Sequence, residues 1–371
     1  MNTPFTAIAI AFVSLLNISA IYSNPDNDEW NRQYLARQIV DECDTNKDGT
    51  LSSEEIDKIV NRGAYKKAAL AFLKSSNDHS TKTFIAAYQT PKNNIVATRH
   101  SNVEYKRVGD RRVLMDIYLP KTKTKKPMPV ALFLHGGGWH LGNKNSINGA
   151  SAFVVQGLLD KGIAVAAANY RLVRPDGNSH VEDCIGDVKD ALAFINREGK
   201  HYGFDTSKTF VWGQSAGAHL TMMLAYSDLE DFVGDAKLRD YRIKPHAIIS
   251  YYGAGSFEMS ENFDSIFLRR FTPSTETSVI KRKLRETSPI THIDSTDPPS
   301  LILSGDKDVI VKVEQAYSIE RHLKQHGVEH KLIIVKNAGH GWMKANDKPI
   351  EPSVEGITKI TIDYILQNSQ Q

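Results

Sequence analysis

Residues 209–219 read TFVWGQSAGAH and join a predicted strand to a predicted helix. The apolar run Thr209–Trp212 is typical of a buried strand, and the stretch His219–Ala225 has helical periodicity. Between them residues 213–217 have the form G-x-S-x-G, which in this context indicates a nucleophile elbow. The flanking glycines allow a tight turn that lifts the hydroxyl of Ser215 above the sheet. The motif taken alone would also fit a glycine-rich turn with a capping serine.

A second glycine motif, HGGGW at residues 135–139, follows the predicted strand Val130–Leu134. Consecutive glycines expose main-chain N–H groups without side chains in the way. With the amide of Ala216, these groups could hold the oxyanion of a tetrahedral intermediate. A flexible glycine turn is the alternative, but it accounts for neither His135 nor the matching elbow. We expect Trp139 to wall the substrate pocket, and a place in the core is the alternative.

A serine nucleophile needs a base, and His340 is placed best among the 13 histidines. It lies in AGHGW, residues 338–342, directly after the predicted strand Lys331–Val335. A histidine on the loop after the last strand can reach back over the sheet to the elbow. We expect His219, in the helix behind Ser215, to serve packing. Three further histidines are predicted to lie on the solvent-exposed surface: His322, His326 and His330.

The acidic partner of the base should end a strand between the serine and the histidine in the chain. The run SGDKD at residues 304–308 meets this condition and offers Asp306 and Asp308. Asp308 is the predicted member because it lies farther along the loop, which leaves Asp306 as a turn residue. Its role would be to orient the imidazole of His340 and to stabilise the imidazolium.

The chain from residue 102 onward alternates predicted strands and helices. Segments 102–108 and 113–119 alternate apolar and polar residues around a turn at Gly109-Asp110, which predicts an antiparallel opening pair. The later strands are continuous apolar runs separated by amphipathic stretches, a pattern of a mostly parallel sheet covered by helices on both faces. Segment 253–297 interrupts this alternation and is predicted to be an insertion or lid. The later strands are predicted at 130–134, 163–168, 209–212, 247–251, 301–303 and 331–335.

Taken together, HGGGW, GQSAG, SPI at 288–290, DPP at 297–299, SGDKD and AGHGW resemble the α/β-hydrolase esterase/lipase family. The closest likeness is to its bacterial feruloyl-esterase-like and carboxylesterase-type members, which overlap with arylformamidases. The match covers about residues 101–368. One departure is Gln214, where the family often has histidine. The second position of the elbow does no chemistry, so the implied mechanism is unaffected.

The resemblance implies an α/β-hydrolase fold and acyl-ester hydrolysis through an acyl-serine. It assigns the catalytic triad to Ser215, Asp308 and His340. It also implies an oxyanion hole built from the amides of Gly137, Gly138 and Ala216. The expected substrate is a carboxylic ester with a short or aromatic acyl group, on a small molecule or a carbohydrate. The alternatives are an amidase or peptidase with the same triad, and a calcium-dependent binding protein on an inactive hydrolase fold.

Ahead of this domain, residues 44–55 read DTNKDGTLSSEE and match D-x-[DN]-x-[DN]-G-x5-E. The segment resembles an EF-hand, because Ca²⁺ needs six to eight oxygen ligands and a glycine that permits a sharp turn. The alternative is a solvated turn that binds nothing. A single loop of this kind predicts a structural Ca²⁺ site, since ester hydrolysis by a serine triad needs no metal. The predicted ligands are the side chains of Asp44, Asn46 and Asp48, the Thr50 carbonyl, Ser52 through a water, and Glu55.

The N-terminus is apolar from Phe5 to Tyr22 and turns polar at Asn24. This pattern predicts a signal peptide over residues 1–23 and export to the periplasm or the medium. An uncleaved membrane anchor and an N-terminal core helix are the alternatives, and no Lys or Arg precedes Arg32. No other stretch is long and apolar enough to cross a bilayer. The predicted organisation is then an EF-hand-like helical segment at 24–66, a linker at 67–101 and the hydrolase domain at 102–371.

Composition narrows the functional classes further. The 371 residues include 46 Lys and Arg against 43 Asp and Glu, a net charge of +3. This balance gives no broad cationic surface, so nucleic-acid binding is not expected. The two cysteines, Cys43 and Cys184, exclude both a disulfide scaffold and a cysteine–zinc site.

Overall fold

The structure, a computed structural model, describes residues 95–122, 127–147, 149–174, 178–232, 234–259, 265–345 and 348–370, together with residues 46, 50, 52, 54 and 55. The predicted signal peptide, Asp44, Asp48 and most of the predicted linker lie outside the described residues. The chain divides into two compact units, residues 1–91 and residues 92–371. The second unit holds the sheet, whose first strand begins at Thr98.

Eight strands of the described residues form one sheet in the order β1-β2-β4-β3-β5-β6-β7-β8. The pairs β1–β2 and β2–β4 are antiparallel, and every later pair is parallel. The predicted fold class, a mostly parallel sheet with helices on both faces, is therefore confirmed. The strands are β1 Thr98–Val108, β2 Arg111–Leu119, β3 Met128–Leu134, β4 Ala164–Ala168, β5 Phe204–Gln214, β6 Ala247–Tyr251, β7 Ser300–Gly305 and β8 His330–Val335.

The helices follow the strands in the alternation that the sequence predicts. Short 3₁₀ helices occur at Ala236–Tyr241, Pro289–Thr291 and His340–Trp342. The described α-helices of the second unit are α1 Ala150–Asp160, α2 Val181–Arg197, α3 Gly199–Tyr202, α4 Ala216–Tyr226, α5 Ser265–Leu268, α6 Thr277–Glu286, α7 Glu314–Gln325 and α8 Val354–Ser369.

The core lies on both faces of the sheet, and the alternation of strand side chains divides it. In β3, Ala131 and Phe133 join a cluster that includes apolar residues of α1 and α8. Their neighbours Leu132 and Leu134 join the opposite cluster, with α2, α4 and α7. All five residues of β4 and of β6 are buried, as expected for strands covered on both sides. Among the described residues, no helix has both the length and the hydropathy that a bilayer span requires.

Segment 253–297 connects β6 to β7 and contains α5, α6 and one 3₁₀ helix. Two of its aromatic residues, Phe257 and Phe271, are buried at 3% and 1% exposure. Both rings pack against Trp139, with ring centroids 5.7 and 5.8 Å away. The described part of the segment thus contributes to the core.

A buried network of charges ties the edge strand β1 to helix α2. The Nζ atom of Lys106 lies 2.7 Å from a carboxylate oxygen of both Asp187 and Asp190. Asp187 also pairs with Arg171, at 2.8 Å, and Asp190 with Arg242, at 3.0 Å. The side chains of both aspartates are fully buried. Each charge of this network is therefore compensated by partners and not by water.

We expect Asp187→Ala to lower the free energy of unfolding by about 3–5 kcal/mol, because it leaves the buried cations of Lys106 and Arg171 short of a partner. Urea denaturation followed by circular dichroism measures the loss. The control is Glu230→Ala, which removes an exposed ion pair with Arg239. Its unfolding midpoint should stay at the wild-type value, since exposed pairs contribute little. Equal midpoints for the two variants would contradict this account of the network.

Candidate active site

Ser215 lies in the turn between β5 and α4, with φ 52° and ψ −118°. A positive φ is unfavourable for a residue with a side chain and marks a strained turn. The amide of Ser215 donates to the carbonyl of Tyr251 at 2.9 Å, which ties the turn to the end of β6. A Cβ atom on Gly217 would overlap the backbone oxygen of Leu134, and one on Gly213 would overlap that of Gly217. Only glycines allow α4 to begin this close to the sheet.

The imidazole of His340 lies between Ser215 and Asp308. Its Nε2 atom is 2.9 Å from the Oγ of Ser215, and its Nδ1 atom is 2.7 Å from Oδ2 of Asp308. Because a carboxylate only accepts, Nδ1 carries the proton and Nε2 accepts from the hydroxyl. The side chain of Asp308 is fully buried, while that of His340 is 17% exposed. The structure thus brings the three residues of the predicted triad into one chain of hydrogen bonds.

The loop after β7 distinguishes Asp308 from Asp306. The Oδ1 atom of Asp308 accepts from the amides of Ile310 and Val311, at 2.8 and 2.9 Å. These bonds leave Oδ2 directed at His340. Asp306 instead has its carboxylate 3.5 Å from the Nζ of Lys307. The side chain in contact with the imidazole is therefore that of Asp308.

Sequence reasoning did not identify Tyr252, which packs against His340. The two ring centroids are 4.7 Å apart, and Tyr252 lies at the same distance from Trp342. Tyr252 is 6% exposed, and burial raises the pKa of its phenol. Its φ of 43° marks a second strained position at the end of a strand. The available signal was its place directly after the predicted strand Ala247–Tyr251, at the edge where the triad meets.

The glycine loop after β3 passes beside Ser215. A Cβ atom on Gly136 would lie 3.4 Å from the Cβ of Ser215 and 3.1 Å from the carbonyl oxygen of Gln214. The carbonyl of Gly136 accepts from Nδ1 of its neighbour His135 at 2.7 Å. The carbonyl of Gly137 accepts from the amide of Leu141 at 2.9 Å.

These carbonyl contacts also determine where the amides of the loop point. The C=O and N–H groups of a planar trans peptide point in opposite directions. Holding the carbonyls of Gly136 and Gly137 therefore orients the amides of Gly137 and Gly138. The carbonyl of Gly138 is held in turn by Nδ1 of His140, at 2.9 Å, and by Nη1 of Arg270, at 3.3 Å.

Trp139 was expected to wall the substrate pocket, with a place in the core as the alternative, and its ring lies in the core. Its exposed fraction is 5%. It contacts the rings of Phe257, Phe267 and Phe271, with centroids 5.7 to 6.1 Å away. Its Nε1 donates to Nδ1 of His219 at 3.2 Å. His219 is fully buried, as the packing prediction requires.

Four of the six predicted calcium ligands belong to the described residues. The hydroxyl and the amide of Ser52 donate to Oε2 of Glu55, at 2.7 and 2.9 Å, and the amide of Glu55 donates back to the hydroxyl at 3.3 Å. This reciprocal arrangement is a capping box at the start of a helix. The donors at Asn46, Thr50, Ser52 and Glu55 are oxygens, which suit Ca²⁺. No group of three or more His, Cys, Asp or Glu is arranged to hold a metal within the part of the chain that the structure describes.

Three imidazoles near the glycine loop, two of them buried and that of His140 partly buried, should make stability depend on pH. Burial lowers the pKa of His135, His140 and His219 from 6.5 to about 4, and for His140 the charge of Arg270 adds to the effect. Between pH 6.5 and about pH 4 the unfolded chain binds more protons than the folded one. The free energy of unfolding therefore falls as the pH drops below 6.5. We expect a loss of about 2 kcal/mol per ring at pH 5.

Urea denaturation at pH 7 and at pH 5 measures this loss. The variant His219→Gln lacks one of the three titrating rings and should lose less stability than the wild type over the same interval. An unfolding free energy that is equal at the two pH values would show that the rings are not held neutral.

The chain matches the BD-FAE family model over residues 115–323. It is 25% identical over 275 residues to a probable isoprenylcysteine alpha-carbonyl methylesterase of Arabidopsis thaliana, covering 71% of this chain and 56% of that protein. It is 29% identical over 259 residues to esterase LipC of Mycobacterium tuberculosis, covering 66% of this chain and 62% of that protein. The aligned region thus spans a little over half of the length of these relatives.

Solved structures show the same fold at low sequence identity. A truncated form of a carbohydrate esterase from gut microbiota superimposes with a TM-score of 0.61 at 21% identity, covering 76% of this chain and 100% of that one. The apo form of Thermogutta terrifontis esterase 2 gives a TM-score of 0.59 at 21% identity, covering 75% and 96%. The family model covers more than half of the chain, and the expected resemblance in family and fold is confirmed: this protein belongs to the BD-FAE family and has the α/β-hydrolase fold.

Proposed function

We propose that this protein is a serine hydrolase that cleaves carboxylic esters through an acyl intermediate on Ser215. The observation that carries the proposal is the hydrogen-bond chain from Asp308 through His340 to the hydroxyl of Ser215. A serine hydroxyl is a weak nucleophile until a base accepts its proton, and the bare Nε2 atom lies where that proton leaves. The likeness to esterase LipC supports an ester as the substrate.

In the first half of the reaction, Oγ of Ser215 attacks the carbonyl carbon of the ester while Nε2 of His340 takes the hydroxyl proton. Asp308 stabilises the resulting imidazolium through its bond to Nδ1. The tetrahedral intermediate then collapses, the carbon–oxygen bond to the alcohol breaks, and His340 returns its proton to the leaving alkoxide. The products of this half are the free alcohol and acyl-Ser215.

In the second half, water replaces the alcohol. Nε2 of His340 takes a proton from the water as its oxygen attacks the acyl carbon. The second tetrahedral intermediate releases the carboxylic acid, and the proton returns to Oγ of Ser215. The enzyme is regenerated without a metal or a redox step.

For the negative charge of both intermediates we propose an oxyanion hole built from the amides of Gly137, Gly138 and Ala216. Two observations support this oxyanion hole. Gly136 lies beside Ser215, so the glycine loop reaches the reacting atoms. Ala216 is the first residue of α4, where amides have no partner within the helix. Donors that are already oriented need no rearrangement in the transition state, which is why they accelerate acyl transfer.

We further propose that the acyl group is short or aromatic and that the alcohol is a small molecule or a carbohydrate. An ester panel distinguishes these possibilities. One comparison sets an acetyl ester against esters of longer acyl chains. A second comparison sets methyl ferulate against an acetylated polysaccharide. Matched anilides test the competing amidase.

Substitutions in the triad should remove the activity in a graded way. With a chromogenic acetyl ester, Ser215→Ala should lower kcat by about 10⁴-fold or more, and Asp308→Asn by about 10²- to 10⁴-fold, because the imidazole loses its orienting carboxylate. The matched control is Asp306→Asn, two residues away on the same loop, which should keep the wild-type rate. A fluorophosphonate probe should label the wild type and not Ser215→Ala. Ester hydrolysis that survives Ser215→Ala would refute the assignment.

We also propose that residues 44–55 bind one structural Ca²⁺ through Asp44, Asn46, Asp48, Thr50, Ser52 and Glu55. The support is the all-oxygen donor set and the burial of Glu55, which is 3% exposed. When bound, the ion would add stability to the first unit because it binds the folded loop and not the unfolded one. Its role would be separate from the hydrolysis.

Removal of the ion should lower stability without lowering the rate. EDTA should decrease the melting temperature of the wild type, while the initial rate on folded enzyme stays constant. Isothermal titration with Ca²⁺ should show one site that Glu55→Gln abolishes. Glu54→Gln, one residue away but outside the ligand positions, is the control and should bind as the wild type does. Absence of a heat signal with the wild type would exclude the site.

A further inference from the structure

His219 is the buried histidine closest to the nucleophile in the chain. It lies one turn into α4, and its amide donates to the carbonyl of Ser215 at 3.0 Å. Its side chain is fully buried, and the proposed mechanism does not use it. A buried polar side chain is costly unless its hydrogen bonds are made, so the partners of this ring define its role.

Both ring nitrogens of His219 have partners, and the partners determine the tautomer. Nε2 lies 2.7 Å from the carbonyl oxygen of Thr287. Because a carbonyl only accepts, Nε2 carries the proton and Nδ1 is the bare acceptor. Nδ1 receives the indole N–H of Trp139 at 3.2 Å. Burial lowers the pKa of the ring to about 4, which keeps this neutral tautomer at physiological pH.

The bond to Trp139 acts directly beside the proposed oxyanion hole. Trp139 follows Gly138 in the chain and has a φ of 65°, a conformation that side chains disfavour. The ring of His219 contacts the indole edge to face, with centroids 5.2 Å apart. The hydrogen bond and this packing hold Trp139 in the strained conformation, and with it the peptide that follows Gly138.

Two residues of segment 253–297 also contact His219 and the glycine loop. Thr287, which accepts from His219, belongs to this segment. So does Arg270, whose Nη1 lies 3.3 Å from the carbonyl of Gly138. His219 therefore connects three parts of the site: the helix after Ser215, the glycine loop and the segment that the sequence predicted to be an insertion or lid.

We propose that His219 is a positioning residue for ester hydrolysis, which fixes the end of the glycine loop that carries the oxyanion amides of Gly137 and Gly138 by holding Trp139 through its Nδ1 atom. This inference rests on the proposed function. A residue that only stabilises the fold would change the melting temperature alone. A residue that aligns transition-state donors should change kcat and leave KM nearly constant, because the donors act on the developing oxyanion.

The decisive comparison is between His219→Leu and His219→Gln. Leucine removes both hydrogen bonds, and we expect kcat to fall about 10- to 100-fold with little change in KM, as misaligned donors do. Glutamine keeps an acceptor for Trp139 and a donor for Thr287, so it should restore most of the lost rate. A rate in His219→Leu equal to that of the wild type would overturn the inference.

His246→Leu is the matched control. Its Nε2 also bonds a backbone carbonyl, that of Asn368, at 2.9 Å. It lies next to the amino end of β6, whereas the triad lies at the carboxyl end of the sheet. It should lose stability and keep kcat. An equal fall of kcat in His246→Leu and His219→Leu would assign both to general destabilisation and overturn the positioning role.

A second variant and a spectroscopic signal make the test independent of folding losses and of activity. Trp139→Phe keeps an aromatic ring but removes the indole N–H donor together with part of the ring system, so it should lower kcat in the same direction. In ¹⁵N spectra the indole signal of Trp139, assigned by its absence in Trp139→Phe, should shift in His219→Leu and return towards its wild-type position in His219→Gln.

An unshifted signal in His219→Leu would show that the contact does not exist, whatever the activity. Failure of the wild type to hydrolyse esters or to accept the fluorophosphonate probe would instead refute the proposed function. In that case the spectra would still report on the contact between His219 and Trp139.

Discussion

The close approach of helix α4 to the end of strand β3 is the constraint on which the site depends. Gly217 touches the backbone at Leu134, and any side chain there would overlap it. The same approach forces Ser215 into a left-handed turn and brings it beside Gly136. Ser215 and the glycine loop are therefore neighbours because two backbones pack without side chains between them. The strain of the turn is offset by the buried sheet on which it rests.

The other parts of the site reach this point because the central strands are parallel. Their carboxyl ends meet at one edge of the sheet, so the loops after β3, β5, β7 and β8 converge there. Each loop is held by its own backbone bonds. The amides of Ile310 and Val311 hold Asp308, and the carbonyls of the glycine loop are bound in turn. Such preorganisation is what acyl transfer requires of its surroundings.

Much of this organisation was predictable from local patterns. The apolar runs located the central strands to within a few residues, since burial on both faces demands continuous apolar residues. Motif spacing singled out Ser215, Asp308 and His340, and the structure brings them into contact. The interior contacts were not predictable. Trp139 was predicted first as a pocket wall but its ring lies in the core, and the position of Tyr252 after a predicted strand did not reveal its contact with His340.

The sequence by itself determined the fold class, the nucleophile motif and the calcium-loop pattern, because each depends on residues that are neighbours in the chain. The tertiary structure alone decided how the loop amides direct Asp308 at the imidazole, that Trp139 belongs to the core, and that His219 joins the glycine loop to Thr287. The contacts of Asp308 with the imidazole and of His219 with its two partners join residues 32 to 80 positions apart. They form only when the packed sheet brings distant loops together, and no local pattern encodes the side-chain geometry that results.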